Sequence, residues 1–291
     1  MKMDEEMLRK LEKRLADGEI SEDTYKKIKS RYEAQESLDE EEFEDDEEIE
    51  TDDEPIETEG KTKKVSLTGA SKAADVNCVS FSASGASKVE GYLKAEHAKI
   101  SGATKVEGDA LLGDLVSSGS FKVEGRTEAD QMELSGASKF EGNVKAKKIK
   151  SNGSSKFETD VDVDDFSSSG AMKMEMNVTA KSFTASGAFK ILGTLEAQEI
   201  ILKPGGDCSI KHVKGGDVLV ERGGSGFFSM FKKGTLKCES IIGGKIYLEN
   251  TRAENVEGDE VRIGPGCKID KVKAKNLKVH ESSTVGSKIK L

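Results

Sequence analysis

Tryptophan is missing from this 291-residue chain, and aromatic residues make up only 5% of it. Large aromatic side chains dominate wide globular cores, so their scarcity argues against such a core. Only three prolines occur beside 30 glycines, which suits a narrow core with many tight corners. No apolar run approaches the roughly 20 residues that a membrane-spanning helix needs. The residues after Met1 show a charged helical pattern and no signal peptide. We therefore expect a soluble intracellular protein.

Sequence patterns of catalysis and metal binding are also missing. The chain contains no P-loop, no G-x-S-x-G and no H-E-x-x-H motif. Three scattered histidines lack metal-ligand spacing: His97, His212 and His280. Basic residues are not interleaved with aromatic ones, so nucleic-acid binding is poorly supported. We therefore expect a non-enzymatic protein without catalytic residues, metal or cofactor, and a solenoid acyltransferase-like enzyme is kept as a remote alternative.

The four cysteines form no C-x-x-C pair and lie far apart in the sequence. They are Cys78, Cys208, Cys238 and Cys267. This spacing favours buried, reduced thiols over disulfides.

Negative charge is concentrated in one segment, the acidic tract, residues 33–59. The chain has a net charge of −10, yet this tract alone holds 17 acidic residues and no Lys or Arg. Such a sequence repels itself and buries little apolar surface, so residues 35–63 are predicted to be a disordered acidic linker. The alternatives are a binding segment for basic partners, or a segment that folds back onto the basic remainder of its own or a neighbouring chain.

Residues 1–34 are predicted to form a helical hairpin. Met7, Leu8, Leu11 and Leu15 fall on one helical face, and a second helix after Ser21 carries further apolar residues. The run Ala16-Asp17-Gly18-Glu19-Ile20, with Leu11 before it and Tyr25 and Lys29 after it, resembles the SHOCT module. That resemblance implies an oligomerisation or docking element, and the alternative is a generic helical hairpin.

A glycine recurs at every seventeenth position without insertion or deletion, and a lysine follows three positions after each one. The glycines of this column are Gly85, Gly102, Gly119, Gly136, Gly153, Gly170 and Gly187. A fixed register of this length predicts an all-β parallel solenoid over residues 64–203, in which each repeat is one coil. A repeat of this size fits three short strands and three bends, so the coil should be triangular. The glycines are expected at corners that require positive φ.

Apolar residues at equivalent positions of the repeats alternate with polar residues, as half-buried strands require. Three columns are expected in the core, beside a fourth column of mostly small residues that runs from Ala95 to Ala197. They contain Val89, Val106, Val123, Phe140, Phe157, Met174 and Ile191; Leu93, Ala110, Thr127, Val144, Val161, Val178 and Leu195; and Ala98, Leu115, Met132, Ile149, Phe166, Phe183 and Ile200. Larger side chains occur in the middle coils, so no water-filled channel is expected.

A charged stripe of lysines, each followed two positions later by a glutamate, is predicted on an outward face. Its pairs are Lys88/Glu90, Lys105/Glu107, Lys122/Glu124, Lys139/Glu141, Lys156/Glu158 and Lys173/Glu175. The lysines of neighbouring coils would be about 4.8 Å apart, and diagonal contacts with the glutamates would offset their repulsion. The stripe could simply be a solvated face that keeps register, or it could bind other filaments or an anionic surface.

Residues 204–291 are predicted to continue as irregular coils without the charged stripe. Apolar residues still recur there, but at unequal steps of fifteen to seventeen positions. Three series show this: Ile246, Val261 and Leu277; Leu248, Ile263 and Val279; and Val256, Val272 and Ile289.

An insertion, residues 222–234, interrupts these coils and is called the Phe loop. It contains apolar residues followed by two lysines: Phe227, Phe228, Met230, Phe231, Lys232 and Lys233. This combination suits a membrane interface. A contact with a neighbouring subunit and packing on the core are the alternatives.

The repeat, with small residues at its corners and short Val/Ile strands, resembles the bactofilins, which are polymer-forming cytoskeletal proteins. The most specific segments are Lys245–Ala253, Val256–Asp259 and Val261–Ile269 with Val272. The resemblance covers roughly residues 64–291. It implies a right-handed β-solenoid that polymerises end to end without nucleotide, often at the inner membrane surface. The uniform charged stripe and the N-terminal hairpin depart from the family pattern.

The sequence shows no capping helix beside the solenoid, and it still alternates like a strand at Lys288-Ile289-Lys290-Leu291. Unpaired backbone groups of an end coil favour addition of another strand. Assembly is therefore expected at the C-terminal end coil, through Leu277, Val279, Val285, Ile289 and Leu291. The predicted partners are other copies of this chain, a membrane surface through the Phe loop, and further proteins through residues 1–34. A monomeric or small-oligomeric membrane-surface adaptor is the alternative to a polymer.

Overall fold

The computed structural model describes residues 62–222 and 234–291. The predicted hairpin, nearly all of the acidic linker and the centre of the Phe loop lie outside these residues. The described chain is an all-β parallel solenoid of about 13 turns. Its strands are β1 Thr62–Leu67, β2 Ser71–Ala73, β3 Val76–Ala83, β4 Ala86–Val89, β5 Leu93–Ile100, β6 Ala103–Val106, β7 Ala110–Ser117, β8 Ser120–Val123, β9 Thr127–Leu134, β10 Ala137–Phe140, β11 Val144–Ser151, β12 Ser154–Phe157, β13 Val161–Ser168, β14 Ala171–Met174, β15 Val178–Pro204, β16 Asp207–Val220, β17 Thr235–Leu248, β18 Thr251–Ile263, β19 Lys268–Val279 and β20 Thr284–Lys290.

Each regular coil consists of one four-residue strand and one eight-residue strand that bends in its middle. In β5, Leu93 and Ala95 point inward, Glu96 and His97 are both exposed, and Ala98 and Ile100 point inward again. Two consecutive exposed residues mark a corner, because side chains of a straight strand alternate between its faces. The coil therefore has three sides, as the sequence predicted.

Parallel pairing keeps one constant step from β3 to the first part of β15. Val76 pairs with Leu93, for example, and Val161 pairs with Val178. The step lengthens across the Phe loop, where Asp207 pairs with Thr235. It is shorter afterwards, since Leu236 pairs with Thr251. The sequence prediction of continued, irregular coils is confirmed.

One predicted position in the last coil is wrong. In the pairing of β19 with β20, Val272 lies beside Lys288, and Ile289 lies beside Lys273. Ile289 is consequently 41% exposed. A shift of one residue moves every side chain of a strand to its opposite face, and the step assumed from the sequence was one position too long.

The three predicted apolar columns are buried along the whole repeat. Phenylalanine rings fill the middle coils: Phe140 stacks on Phe157 with ring centroids 5.2 Å apart, and Phe166 stacks on Phe183 at 4.9 Å. A further inward column was not predicted from the sequence. It mixes small hydroxyl residues with large apolar ones: Ser87, Thr104, Phe121, Ser138, Ser155, Met172 and Phe189.

Glycine is required in the column from Gly85 to Gly187 because the backbones of successive coils approach each other closely. The expected positive φ is found at only one of its seven positions. A Cβ added at Gly102 would overlap the carbonyl oxygen of Gly85, and the same clash recurs in each following coil. Within this column, only Gly187 has a positive φ, of 98°. The corner therefore excludes side chains because successive coils meet backbone to backbone there.

Carboxylate and amide side chains tie another corner of the coil to the next coil at four places. The backbone N–H of Tyr92 donates to Asp75 Oδ1 at 2.9 Å, and Arg126 donates to Asp109 in the same way at 2.8 Å. Asn177 and Thr194 repeat the arrangement further along. These contacts satisfy backbone donors that would otherwise be unpaired at the bend. The recurrence of Asp or Asn at this corner was a signal that the sequence analysis missed.

All four cysteines are free and buried, as predicted. Burial raises the pKa of Cys208 to about 11 and that of Cys238 to about 12. The thiolate is the reactive form, so these thiols are unreactive at neutral pH.

Candidate assembly and docking surfaces

The charged stripe lies on the side of the coil formed by the four-residue strands. In β4, Ser87 and Val89 point into the core, so the intervening Lys88 points outward. Parallel pairing places Lys88 directly beside Lys105 of the next coil, and the same stacking continues to Lys173 and Lys190.

Ion pairs run both within each coil and between coils. Lys88 Nζ lies 3.4 Å from Glu90 of its own coil and 3.0 Å from Glu107 of the next coil. Lys105, Lys122, Lys139 and Lys156 repeat this arrangement with all N–O distances between 2.7 and 3.5 Å.

Every stripe glutamate after the first is shared by two lysines. Glu124, for example, lies 3.1 Å from Lys105 and 3.2 Å from Lys122. Glu158 lies 3.5 Å from Lys139 and 2.7 Å from Lys156, to which it is hydrogen-bonded. The predicted diagonal contacts are therefore confirmed.

The stripe, for which a solvated face was one of the two interpretations, is only partly exposed. The side chain of Glu124 is 30% exposed, that of Glu158 is 27% exposed, and that of Lys139 is only 10% exposed. Each of these side chains lies between equivalent side chains of two neighbouring coils, which cover it from both sides. The stripe is thus a half-buried layer of charge.

Pairing also changes the acidity of the stripe. Hydrogen bonding to Glu107 raises the pKa of Lys88. Partial burial alone would raise the pKa of Glu107, but hydrogen bonds from Lys88 and Lys105 outweigh it and lower that pKa. The stripe therefore compensates its own charge, and little of that charge is left free for an external partner.

The series of lysine–glutamate ion pairs ends at Leu192, which occupies the position where the next glutamate would be and is 43% exposed. The basic column continues beyond that point, contrary to the prediction that the later coils lack it. Lys190 pairs with Ser209, and Lys237, Arg252 and Lys268 then stack in register on the same side. Unequal coil steps concealed this column in the sequence.

Acidic residues also lie two positions after each of these later basic residues: Glu239, Glu254 and Asp270. Within residues 62–222 and 234–291, however, no ion pair joins the later basic residues to them. The lysines and glutamates of the regular coils thus form ion pairs, whereas the corresponding basic and acidic residues of the irregular coils form none with one another in the described chain.

The base of the Phe loop is fixed by the segment that carries the family resemblance. The backbone N–H of Arg222 donates to Glu249 Oε2 at 3.0 Å, and the Tyr247 hydroxyl donates to Glu249 Oε1 at 2.6 Å. The hydrogen bond to Glu249, together with burial, raises the pKa of Tyr247 to about 12. The strands before and after the loop, β16 and β17, pair in register: Asp207 to Val220 of β16 lie beside Thr235 to Leu248 of β17. The predicted loop residues Phe227, Phe228, Met230, Phe231, Lys232 and Lys233 lie outside the described residues.

The C-terminal end coil combines partly buried and exposed apolar side chains. Leu277, Val279 and Val285 pack against the core, whereas Ile289 is 41% and Leu291 is 51% exposed. Among the residues that the structure describes, β20 pairs only with β19. At the other end, β1 pairs only with β3, and β2 only with β4. Each end coil therefore has one strand edge without a partner in the described chain.

A groove of ≈ 910 Å³ lies along the corner formed by Glu96, His97 and their equivalents in the next coils. Its walls carry mixed charges, and His97 there lies 3.2 Å from Asp114. The nearby Cys78 is 1% exposed, and burial raises its pKa. In the described part of the chain, no group of three or more His, Cys, Asp or Glu residues could hold a metal ion. No helix among these residues is long and apolar enough to cross a membrane.

Comparison with known proteins gives one partial relative. A stretch of 77 residues is 44% identical to the Bacillus subtilis (strain 168) protein YhbF, which is described as uncharacterized. The match covers 26% of this chain and 32% of that protein, so the chain spans about a third of the relative's length. No family model and no solved structure matches.

Proposed function

We propose that this protein is a non-enzymatic, polymer-forming scaffold of the bactofilin type, which assembles end to end through its solenoid without nucleotide. The observation that carries the proposal is the unpartnered strand edge of β20 in the described chain, beside the exposed Ile289 and Leu291. Such an edge is a template for pairing with another chain. An identical coil stacked there would continue the sheet that already joins about 13 turns.

The charged stripe supports end-to-end growth over sideways growth. Its lysines and glutamates are paired with one another, and they present closely spaced charges to any surface that approaches laterally. A neighbouring filament would have to desolvate these pairs without replacing them. The stripe thus restrains lateral association and leaves the coil ends as the adhesive surfaces.

The N-terminal hairpin and the acidic linker are proposed as a docking element that recruits other proteins to the polymer. The Phe loop is proposed as a site of contact with the inner face of the cell membrane. Its base supports this role, because the insertion between Arg222 and Gly234 leaves the pairing of β16 with β17 undisturbed. The protein would then be cytoplasmic and peripheral on that membrane.

Electron microscopy and sedimentation of the purified full-length chain without nucleotide test the polymer proposal. Wild type should form filaments or large assemblies, and the variant Ile289→Glu/Leu291→Glu should not, because charge replaces the exposed apolar groups of the end coil. Val116→Glu/Ile242→Glu is the matched control, since these residues are similarly exposed elsewhere, at 43% and 45%. A monodisperse wild-type monomer at high concentration would contradict the proposal.

A membrane-surface adaptor that does not polymerise is the second candidate, favoured by the fixed base of the Phe loop. Flotation with anionic liposomes tests its membrane contact, and the absence of filaments in electron microscopy separates it from the polymer. Wild type should float and Phe227→Ser/Phe228→Ser should not, with the described fold unchanged by circular dichroism. The adaptor is rejected if neither protein floats.

A further inference from the structure

One outward column of the solenoid mixes charges of both signs with apolar residues, and it lies on a different side of the coil from the charged stripe. It occupies the first half of the eight-residue strands, where Lys94 stands between the inward Leu93 and Ala95. Stacking in register joins the equivalent residues of ten successive coils. The first five are Lys94, Leu111, Glu128, Lys145 and Asp162. The next five are Thr179, Glu196, Lys214, Ile242 and Glu257. We call these ten residues the mixed column.

The mixed column presents free charge to solvent, unlike the charged stripe. Four of its charged residues are exposed and form no ion pair within residues 62–222 and 234–291: Lys94, Lys145, Glu196 and Lys214. Two of its carboxylates already bind a cation, since Glu128 lies 3.3 Å from Arg126 and Glu257 lies 3.0 Å from Lys273. Each of them can hold a second ammonium group, as the stripe glutamates do. Ile242 is 45% exposed.

The mixed column is complementary to itself when its order is reversed. If its first five residues face its last five in reverse order, each charged lysine or glutamate faces the opposite charge, and the two apolar residues face each other. The opposed pairs are Lys94/Glu257, Leu111/Ile242, Glu128/Lys214, Lys145/Glu196 and Asp162/Thr179. We propose that two copies of this chain pair side by side and antiparallel through the mixed column. The two-fold axis passes between the coils of Asp162 and Thr179, so each opposed pair occurs twice.

Other alignments of the two columns bring like charges together. A shift of one coil in one direction opposes Glu128 to Glu196, and a shift in the other direction opposes Lys145 to Lys214. A parallel pair related by a two-fold axis along the solenoid would oppose each charge to its own copy. Like charges across an interface disfavour association. Because coils repeat at the same spacing in both copies, of about 4.8 Å, all favourable pairs form in a single register.

The surface beside the mixed column has a matching shape. The groove of ≈ 910 Å³ runs beside its first five residues, four of which line it. Among the last five coils, Gly216 and Gly244 stand two positions after Lys214 and Ile242. These two long side chains therefore have no side chain beside them on that flank. In the antiparallel pair they lie opposite the groove of the second copy.

The contact is large enough for a specific pair. Ten coils at about 4.8 Å span about 43 Å, and the four residue steps between the corners on either side span about 13 Å. The two copies together would bury about 1,100 Å², slightly above the roughly 1,000 Å² that marks a biological interface. The charged stripe lies on the four-residue strands and stays outside this contact. The pairing goes beyond the proposed function, because it needs neither end of the solenoid.

Disulfide cross-linking of full-length variants tests the register. Leu111→Cys and Ile242→Cys are purified separately, mixed in equal amounts and oxidised; the four native cysteines are free but buried. The mixture should give a linked dimer, whereas either variant alone should not, because its two copies of the new thiol lie seven coils, about 34 Å, apart. Val116→Cys mixed with Ile242→Cys is the matched control, since Val116 belongs to the same coil as Leu111 but to the other half of the strand. No linked dimer, or equal yields in both mixtures, would overturn the proposal.

Charge complementation supplies a second measurement. Lys145→Glu and Glu196→Lys each place two like-charge contacts in the pair, so each variant alone should dimerise about tenfold or more weakly at low salt. An equal mixture of the two restores opposite charges at both contacts and should dimerise like wild type in sedimentation experiments. Lys99→Glu and Glu254→Lys are the control, because they change unpaired, exposed charges on other sides of the coil. Failure of the mixture to recover would contradict the pairing.

These measurements separate the pairing from the proposed polymer. Dimers linked between positions 111 and 242, without filaments, would support the pairing and contradict the polymer. Filaments without that link would support the polymer and overturn the pairing. Where both contacts form, Ile242→Glu should leave filaments that are single and no longer paired, and persistent pairing would contradict the contact.

Discussion

The ammonium of Lys88 lies 3.0 Å from a carboxylate oxygen of Glu107, which belongs to the following coil. Because the next lysine, Lys105, binds the same glutamate at 3.4 Å, this carboxylate joins two coils. The stripe is therefore a chain of shared charges along the stack, and its contribution to stability can be measured one pair at a time.

The pair Lys122 and Glu141 should be energetically coupled. Their charged atoms lie 3.2 Å apart across two coils, and both side chains are largely shielded from solvent. A double-mutant cycle with Lys122→Met and Glu141→Gln, measured by urea unfolding, should give a coupling of about 0.5–1 kcal/mol that decreases in high salt. The exposed Lys94→Met, tested alone, should change the unfolding free energy by less than about 0.5 kcal/mol. A coupling of zero at low salt would show that the ion pairs of the stripe contribute nothing to stability.

The solenoid should become less stable in acid, because the glutamates that are shared between two lysines become protonated. Partial burial would raise the pKa values of Glu107, Glu141 and Glu175, but hydrogen bonds from lysines outweigh it, and these pKa values are lowered in the folded chain. A lowered folded-state pKa contributes stability above the unfolded value of about 4.3, and that contribution is lost as the pH falls through the folded-state pKa. The triple variant Glu107→Gln/Glu141→Gln/Glu175→Gln should therefore lose less unfolding free energy between pH 6 and pH 3. Glu196→Gln/Glu199→Gln should follow wild type; identical curves for all three proteins would contradict the prediction.

Extending the stripe by one carboxylate should stabilise the solenoid. Leu192 occupies the next glutamate position, close to Lys173 and Lys190, and is 43% exposed. Leu192→Glu should raise the unfolding free energy by about 0.3–1 kcal/mol, measured as an increase in Tm at low salt. Met176→Glu is the comparison, because Met176 is similarly exposed but one position beyond the glutamate column. No increase for Leu192→Glu relative to Met176→Glu would refute the proposed register of the stripe.

A methyl group in the glycine column should be costly. The Cβ of Gly136→Ala would overlap the carbonyl oxygen of Gly119, and backbone atoms can move only if both coils move. The expected loss is about 1–3 kcal/mol of unfolding free energy, seen as a lower Tm. Ser135→Ala, at the exposed neighbouring position, should have little effect. Equal Tm values for the two variants would mean that the corner can open at no cost.

Sequence reasoning located the regular coils because their signal is repetitive. Apolar residues such as Val89 recur at one fixed step, and seven repeats leave a single possible alignment. The irregular coils gave a weaker signal, so Ile289 was placed one residue out of register and the basic column at Lys237 was overlooked. The role of the glycine column was also misjudged. The close approach of Gly85 and Gly102 depends on how neighbouring coils stack, and the backbone preference of a single glycine does not predict that stacking.

By itself, the sequence determined the all-β coil, its length, its three-sided form and the apolar columns, because each of these follows from a period that the chain repeats many times. Only the tertiary structure decided how charges are partnered: the stripe lysines share glutamates between coils, whereas Lys278 and its neighbours at the C-terminal end have no acidic partner in the described chain. The physical reason is that an ion pair depends on which coil lies next to which and at what offset. Residues one repeat apart in sequence become neighbours at about 4.8 Å only after the chain has stacked.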